Sequence, residues 1–213
     1  MPHLFIALSG VLAIAALHVL PPTNAVSPIR RTISEYALYD TGWLFNLGVL
    51  AVAVGSLGVL VGLVRSGIAR AGSVAGAGLL LWCVGLTGVV AFPKHNWAVG
   101  PSVNGDIHRV ASLIAFVALP VGAIAVAWAW RRSPVWRNYA LWTIGFAVLA
   151  LLCFGLIAGA FALQPVTGVR WWRAIPLGAV ERALATAEVA TVLTLAWWSS
   201  RARLSHRSET LVA

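Results

Sequence analysis

The chain has 213 residues, of which 60% are hydrophobic and 10% charged, and its mean hydropathy is +0.88. A water-soluble domain carries roughly a quarter of its residues as charges, so these proportions exclude a soluble enzyme or binding domain and define a membrane protein. The formal net charge of +9 is not gathered into any long Lys/Arg run outside the apolar segments. It therefore fits loops held against anionic headgroups and excludes a nucleic-acid surface, which leaves the lipid bilayer as the first partner.

Crossing the hydrocarbon layer as a helix takes about 20 largely apolar residues. Six segments are of that kind: Leu4 to Leu20, Trp43 to Val64, Gly72 to Phe92, His108 to Trp130, Ala140 to Leu163 and Gly178 to Ser199. The expected fold is an all-α polytopic bundle of about six transmembrane helices over residues 1–200, with a short basic tail at 201–213. The first span has no basic residue before it and no small-residue cleavage site after it, so it is expected to remain in the mature protein.

Six spans put both termini on one side. That side carries eight of the Lys and Arg residues and the other seven, so the count alone does not set the orientation. The terminal-side loops are short and almost purely basic, as in Arg131-Arg132-Ser133-Pro134-Val135-Trp136-Arg137, which favours cytoplasmic termini in the cell membrane. Trp128, Trp130, Trp136, Trp142, Trp197 and Trp198 are expected at the inner boundary, and Trp43, Trp97, Trp171 and Trp172 at the outer.

In chain order, His18 lies about one turn below the outer end of the first span. The loop that follows contains Thr32 and Glu35 at the spacing of a capping box, with Ser34 between them. In the second span Gly48, Gly55 and Gly62 recur every seven residues, a stripe that places this helix centrally. Gly58-x-x-x-Gly62, Gly72-x-x-x-Gly76 and Gly155-x-x-x-Gly159 are further sites of close helix approach. Cys83 and Cys153 lie mid-span and are expected to pack as small apolar side chains.

The second outer loop runs through Phe92-Pro93-Lys94-His95-Asn96-Trp97 to Asp106, with Asn104 or Asp106 expected to cap the fourth helix and His108 in its first turn. His18 and His108 with neighbouring carboxylates are donors of the kind that hold a divalent metal and an activated water. Neither the HxxxH nor the HExxH spacing occurs, and a haem would want repeated histidine pairs, so no metal or cofactor is assigned. Pro120 should kink the fourth helix.

Glu181 opens the sixth span, where the helix dipole or pairing with Arg182 or Arg173 accounts for it. Glu188 lies seven residues on, on the same face and about 10 Å deeper. An intramembrane acid is a functional candidate by default; the competing reading is interhelical glue through Thr87, Ser56 or Asn46. His18, Ser34, Glu35, Asp106, His108, Glu181 and Glu188 are thus the candidates for one polar pocket.

Several of these segments, in this order, carry a resemblance: His18 closing the first span, Arg31-Thr32-Ile33-Ser34-Glu35-Tyr36-Ala37-Leu38, Phe92-Pro93, His108 with Ala111-Ser112-Leu113, and Gly178-Ala179-Val180-Glu181-Arg182. Over nearly its whole length the chain resembles the bacterial membrane-protein family called domain of unknown function 998. The resemblance implies a six-span fold and no established activity. The family pattern often has an aspartate shortly after the Phe-Pro, where this chain has Lys94-His95-Asn96.

Three functions are compatible with these residues. The first is binding or passage of a lipid or small molecule in an outward-facing polar pocket, with or without proton coupling. The second is an accessory subunit with a membrane-protein partner. The third is a membrane-embedded lipid hydrolase or transferase, which requires the histidines and carboxylates to converge within hydrogen-bond reach.

Overall fold

The computed structural model describes residues 2–212, and the side chains of 2–204. Its helices are α1 (Pro2–Ala16), α2 (Gly42–Arg65), α3 (Val74–Ala91), α4 (Val103–Trp130), α5 (Arg137–Thr167), α6 (Trp171–Ala174) and α7 (Leu177–Val212). Two 3-10 turns, Thr23–Ala25 and Ile33–Leu38, shape the first long loop. The fold class is the all-α membrane bundle expected from composition. Lipid offers no hydrogen bonds to a bare backbone, so apolar segments of this length satisfy their own N–H and C=O groups as helices.

Four helices, α2 to α5, are long and apolar enough to cross a membrane. The other two long elements are less simple. α1 is apolar but has only 15 residues, and α7 has 36 but carries Glu181, Arg182 and Glu188 in its first half. Residues 201–204, read as the start of a polar tail, continue α7, and Ala202 is buried against the core.

α2 sits centrally, as its glycine stripe implied. It packs on α1, α3 and α7, and the circuit closes through α3–α4, α4–α5 and α5–α7 contacts. The stripe divides its work between two partners. A Cβ at Gly48 would meet the Gly10 carbonyl at 2.9 Å and one at Gly55 would meet the Ala7 backbone nitrogen at 2.7 Å, whereas Gly62 faces Ser199 of α7. Since His3 also lies against Gly58, the start of α1 and the Ser199 turn of α7 sit beside the last turns of α2. The loops after α1, α3 and α5 gather at the opposite end.

Other expected glycine contacts are corrected. Added Cβ atoms at Gly72, Gly155 and Gly159 meet nothing within 4 Å, and the atoms nearest to one at Gly76 belong to the preceding Arg70-Ala71 turn. The closest approach of α3 and α4 instead runs through Gly78 and Gly122, where a Cβ on Gly78 would lie 2.6 Å from the Gly122 Cα. A GxxxG spacing permits close approach without enforcing it, and on α5 that face turns away from the bundle.

The tryptophans also divide. Trp128, Trp142 and Trp197 are exposed at the terminal end as a boundary belt would be, but Trp198 is fully buried, with Trp130 and Tyr139 packed on its ring. Pro120 is buried within α4, which continues through it. Both cysteines are buried and unbridged.

Candidate functional site

The loop end of the bundle is organised by side chains that the sequence reading assigned to other tasks. Ser102, not Asn104 or Asp106, caps α4, its hydroxyl accepting from the Gly105 N–H at 3.1 Å. Asp106 and His108, two positions apart and therefore about 200° apart on a helix, then face opposite ways. Asp106 points outward with its side chain 67% exposed, pairing with His95 at 3.3 Å and Arg109 at 3.8 Å. His108 turns inward and is buried, its Nδ1 2.9 Å from the Phe92 carbonyl and 3.0 Å from that of Val89. It closes the C-terminus of α3, whose last carbonyls have no partner within the helix.

The Thr32–Glu35 capping box does not form, and Thr32 makes no side-chain cap. Lys94 from the second loop takes both groups, donating to Thr32 Oγ1 at 2.7 Å and Glu35 Oε2 at 2.9 Å. An ammonium offers a charge-assisted bond that the backbone of one short 3-10 turn does not. Arg31 adds a longer contact to Glu35 at 3.7 Å. The single lysine of the chain thus ties the first two loops together.

Arg182 does the same for α7 and the first loop. Its Nε donates to His18 Nε2 at 2.9 Å and its Nη2 to the Tyr36 hydroxyl at 2.9 Å. Its Nη1 reaches the carbonyls of Pro28, Arg31 and Gly178. Tyr36 is itself buried and edge-on to the His18 ring, 5.2 Å between centroids. Glu181 pairs with neither Arg182 nor Arg173 among the described residues; its Oε2 accepts the Ile33 N–H at 3.2 Å.

Beneath these loops lies a cavity of ≈400 Å³, walled by residues of α1, α2, α3, α4, α7 and the first loop. Its surface is mainly apolar, with Phe45, Trp82, Leu86 and Phe116 among the larger groups. His18, Ser34, Glu181 and Glu188 all line it. Of the seven expected pocket residues, Glu35, Asp106 and His108 do not: Glu35 stands behind the wall through Lys94, Asp106 faces outward, and His108 belongs to the α3 terminus.

Glu188 is 1% exposed and its Oε1 has no hydrogen-bond partner. The glue reading is not realised at Ser56 or Thr87. Ser56 accepts from the Trp82 indole N–H at 3.0 Å, and Thr87 donates to the Cys83 carbonyl at 2.8 Å.

The ring nitrogens of His18 face the Arg182 guanidinium and the Ile14 carbonyl (3.2 Å). Among the described residues no group of three or more His, Cys, Asp or Glu side chains is placed to hold a metal ion. Arg182 is central to the site, whereas the sequence offers it only as a partner for Glu181 and as the last residue of the Gly178-Ala179-Val180-Glu181-Arg182 segment. Its position next to that acid, near the start of an otherwise apolar stretch, was the available signal.

A multi-pass α-helical membrane protein with a mainly apolar cavity under its inter-helix loops is the class this architecture defines. Within that class the chain belongs to the family described as Protein of unknown function (DUF998), whose model matches residues 5–198. It is also 29% identical over 150 residues to an MFS-type transporter, ltbE, of Aspergillus luteorubrus. That match covers 59% of this chain and 27% of the fungal protein, so the chain spans about a quarter of that relative's length. No solved structure matches it.

Proposed function

We propose that the protein binds a lipid or other small amphiphile in this cavity and passes it within or across the cell membrane. In this reading all six long helices cross the bilayer, the termini are cytoplasmic and the cavity faces outward. The observation that carries it is the cavity itself. A volume of ≈400 Å³ lies in the range of small-molecule sites, about 300–1,000 Å³, and apolar walls with a few placed polar groups are their usual lining.

Binding is favoured over lipid hydrolysis by the engagement of the histidines. His18 Nε2 accepts from Arg182 and His108 lies against the Val89 and Phe92 carbonyls, so among the described residues neither histidine is hydrogen-bonded to a carboxylate that would orient it as a general base. The similarity to an MFS-type transporter supports movement of a ligand rather than its chemical conversion.

The test is native mass spectrometry of the protein released from lipid nanodiscs, wild type against Ala185→Trp. Ala185 lines the cavity, and an indole there would fill much of it. A bound small molecule or lipid on the wild type that is lost from the variant is expected. Equal occupancy of the two proteins, or none on either after incubation with phospholipids and alkyl amphiphiles, would reject the reading.

A further inference from the structure

We infer that the cavity is a site for a lipophilic organic cation: an ammonium group that meets Glu188 and Glu181, carried on an apolar body that lies against Trp82, Phe45 and Phe116. This rests on the binding reading above and adds the charge of the ligand.

Donors and acceptors at the cavity wall are unmatched. Two carboxyl groups, Glu181 and Glu188, share the cavity wall, seven residues and about two turns apart on one helix face. Glu181 receives one backbone N–H at its Oε2, and the buried Glu188 Oε1 receives nothing. A buried polar atom left without a partner costs about 1–3 kcal/mol, so such an atom at a cavity wall marks a place that a ligand donor can complete.

The protein's own cations near the site are committed elsewhere. Every nitrogen of Arg182 donates to His18, Tyr36 or a loop carbonyl, and Lys94 is held by Thr32 and Glu35. Neither of these cations reaches Glu188 Oε1, which is left without a partner. A ligand that carries its own cationic donor can complete it.

Ligand classes separate on this geometry. An anionic amphiphile would place its charge against two carboxyls. An alcohol brings one donor, whereas an ammonium brings three, together with the charge. The rings of Trp82, Phe45 and Phe116 on the same wall also offer aromatic faces that attract cations and repel anions.

The test uses three probes with one body and different heads: 4-phenylbutylamine, 4-phenylbutanol and 4-phenylbutyrate. Each is titrated calorimetrically into the protein in zwitterionic-lipid nanodiscs, with empty nanodiscs subtracted. The amine is expected to bind at least tenfold more tightly than the alcohol and the acid, a comparison that needs no variant. Glu188→Gln should weaken the amine by at least tenfold while leaving the alcohol within about twofold.

Equal or tighter binding of the alcohol or the acid would overturn the cation assignment and leave amphiphile binding standing. Amine binding unchanged by Glu188→Gln would overturn it as well. Failure of all three probes to bind the wild type would overturn both the assignment and the reading on which it rests.

Discussion

Arg182 of α7 donates through Nε to Nε2 of His18, 164 residues earlier in the chain, at 2.9 Å. The bond holds the end of the first helix to the beginning of the last, and the same guanidinium secures Tyr36 and the first-loop carbonyls. The mouth of the cavity is therefore fixed by one side chain reading several short loop segments at once. Arg suits this position because its planar fork presents five donors in fixed directions.

Arg182→Ala should lower the stability of the purified protein by about 2–4 kcal/mol, since hydrogen bonds to a charged group are worth about 1.5–3 kcal/mol each and those at the rim contribute less. Arg182→Lys should recover less than half of that, because one ammonium cannot reach His18, Tyr36 and the carbonyls together. Thermal unfolding in detergent measures both. A double-mutant cycle with His18→Ala should give a coupling of about 1–2 kcal/mol; additivity of the two losses would contradict the bond.

Lys94 and Glu35 make a second cross-loop tie, with side chains only 13% and 18% exposed. Exposed ion pairs are worth about 0–1 kcal/mol, and this more sheltered one should reach about 1 kcal/mol in a Lys94→Ala/Glu35→Ala cycle. Lys94→Asp, which sets an acid beside Glu35, should be more damaging than Lys94→Ala. A protein equally stable with either substitution would show that the pair is not formed.

The glycines give a sharper contrast. Gly78→Val should overpack the α3–α4 contact, where the backbones meet at Gly122, and cost about 1–3 kcal/mol or more. Gly155→Leu and Gly159→Leu should be tolerated, since nothing lies within 4 Å of either added Cβ. Yield of monodisperse protein on size exclusion, together with Tm, ranks the three. Loss of folded protein on Gly159→Leu with Gly78→Val unaffected would invert the packing described above.

Hydropathy located the helices because lipid leaves an apolar segment few other conformations, so the expected span Trp43 to Val64 differs from α2 (Gly42–Arg65) by a residue at each end. The central place of α2 was legible too, because its glycines let α1 and α7 approach closely. What periodicity could not settle was partner choice. The Gly155-x-x-x-Gly159 pair has the same spacing as Gly58-x-x-x-Gly62, and only the fold decides which of them meets another helix.

In the site, the 3.6-residue period correctly put Glu181 and Glu188 on one face, and the same period separates Asp106 from His108. The capping residues failed for a different reason. Thr32, Glu35 and Asp106 all have local cap signatures, but their side chains are drawn to Lys94, His95 and Arg109. Lys94 and His95 lie outside the segments those signatures describe, and no short motif registers a competitor from another loop.

Keeping Glu188 has a cost in stability. A buried carboxyl oxygen without a hydrogen-bond partner weakens the folded state by about 1–3 kcal/mol relative to a satisfied or apolar group. Glu188→Leu should therefore raise Tm in the absence of ligand, by an amount corresponding to about 1–2 kcal/mol, while abolishing amine binding. A residue kept as interhelical glue would behave in the opposite way, because its removal strands a partner in the neighbouring helix and lowers Tm. Sites retained for function commonly carry such a stability penalty. A stabilised, non-binding Glu188→Leu protein is the result expected of a ligand-completed site, and a destabilised one would return Glu188 to the structural frame of the bundle.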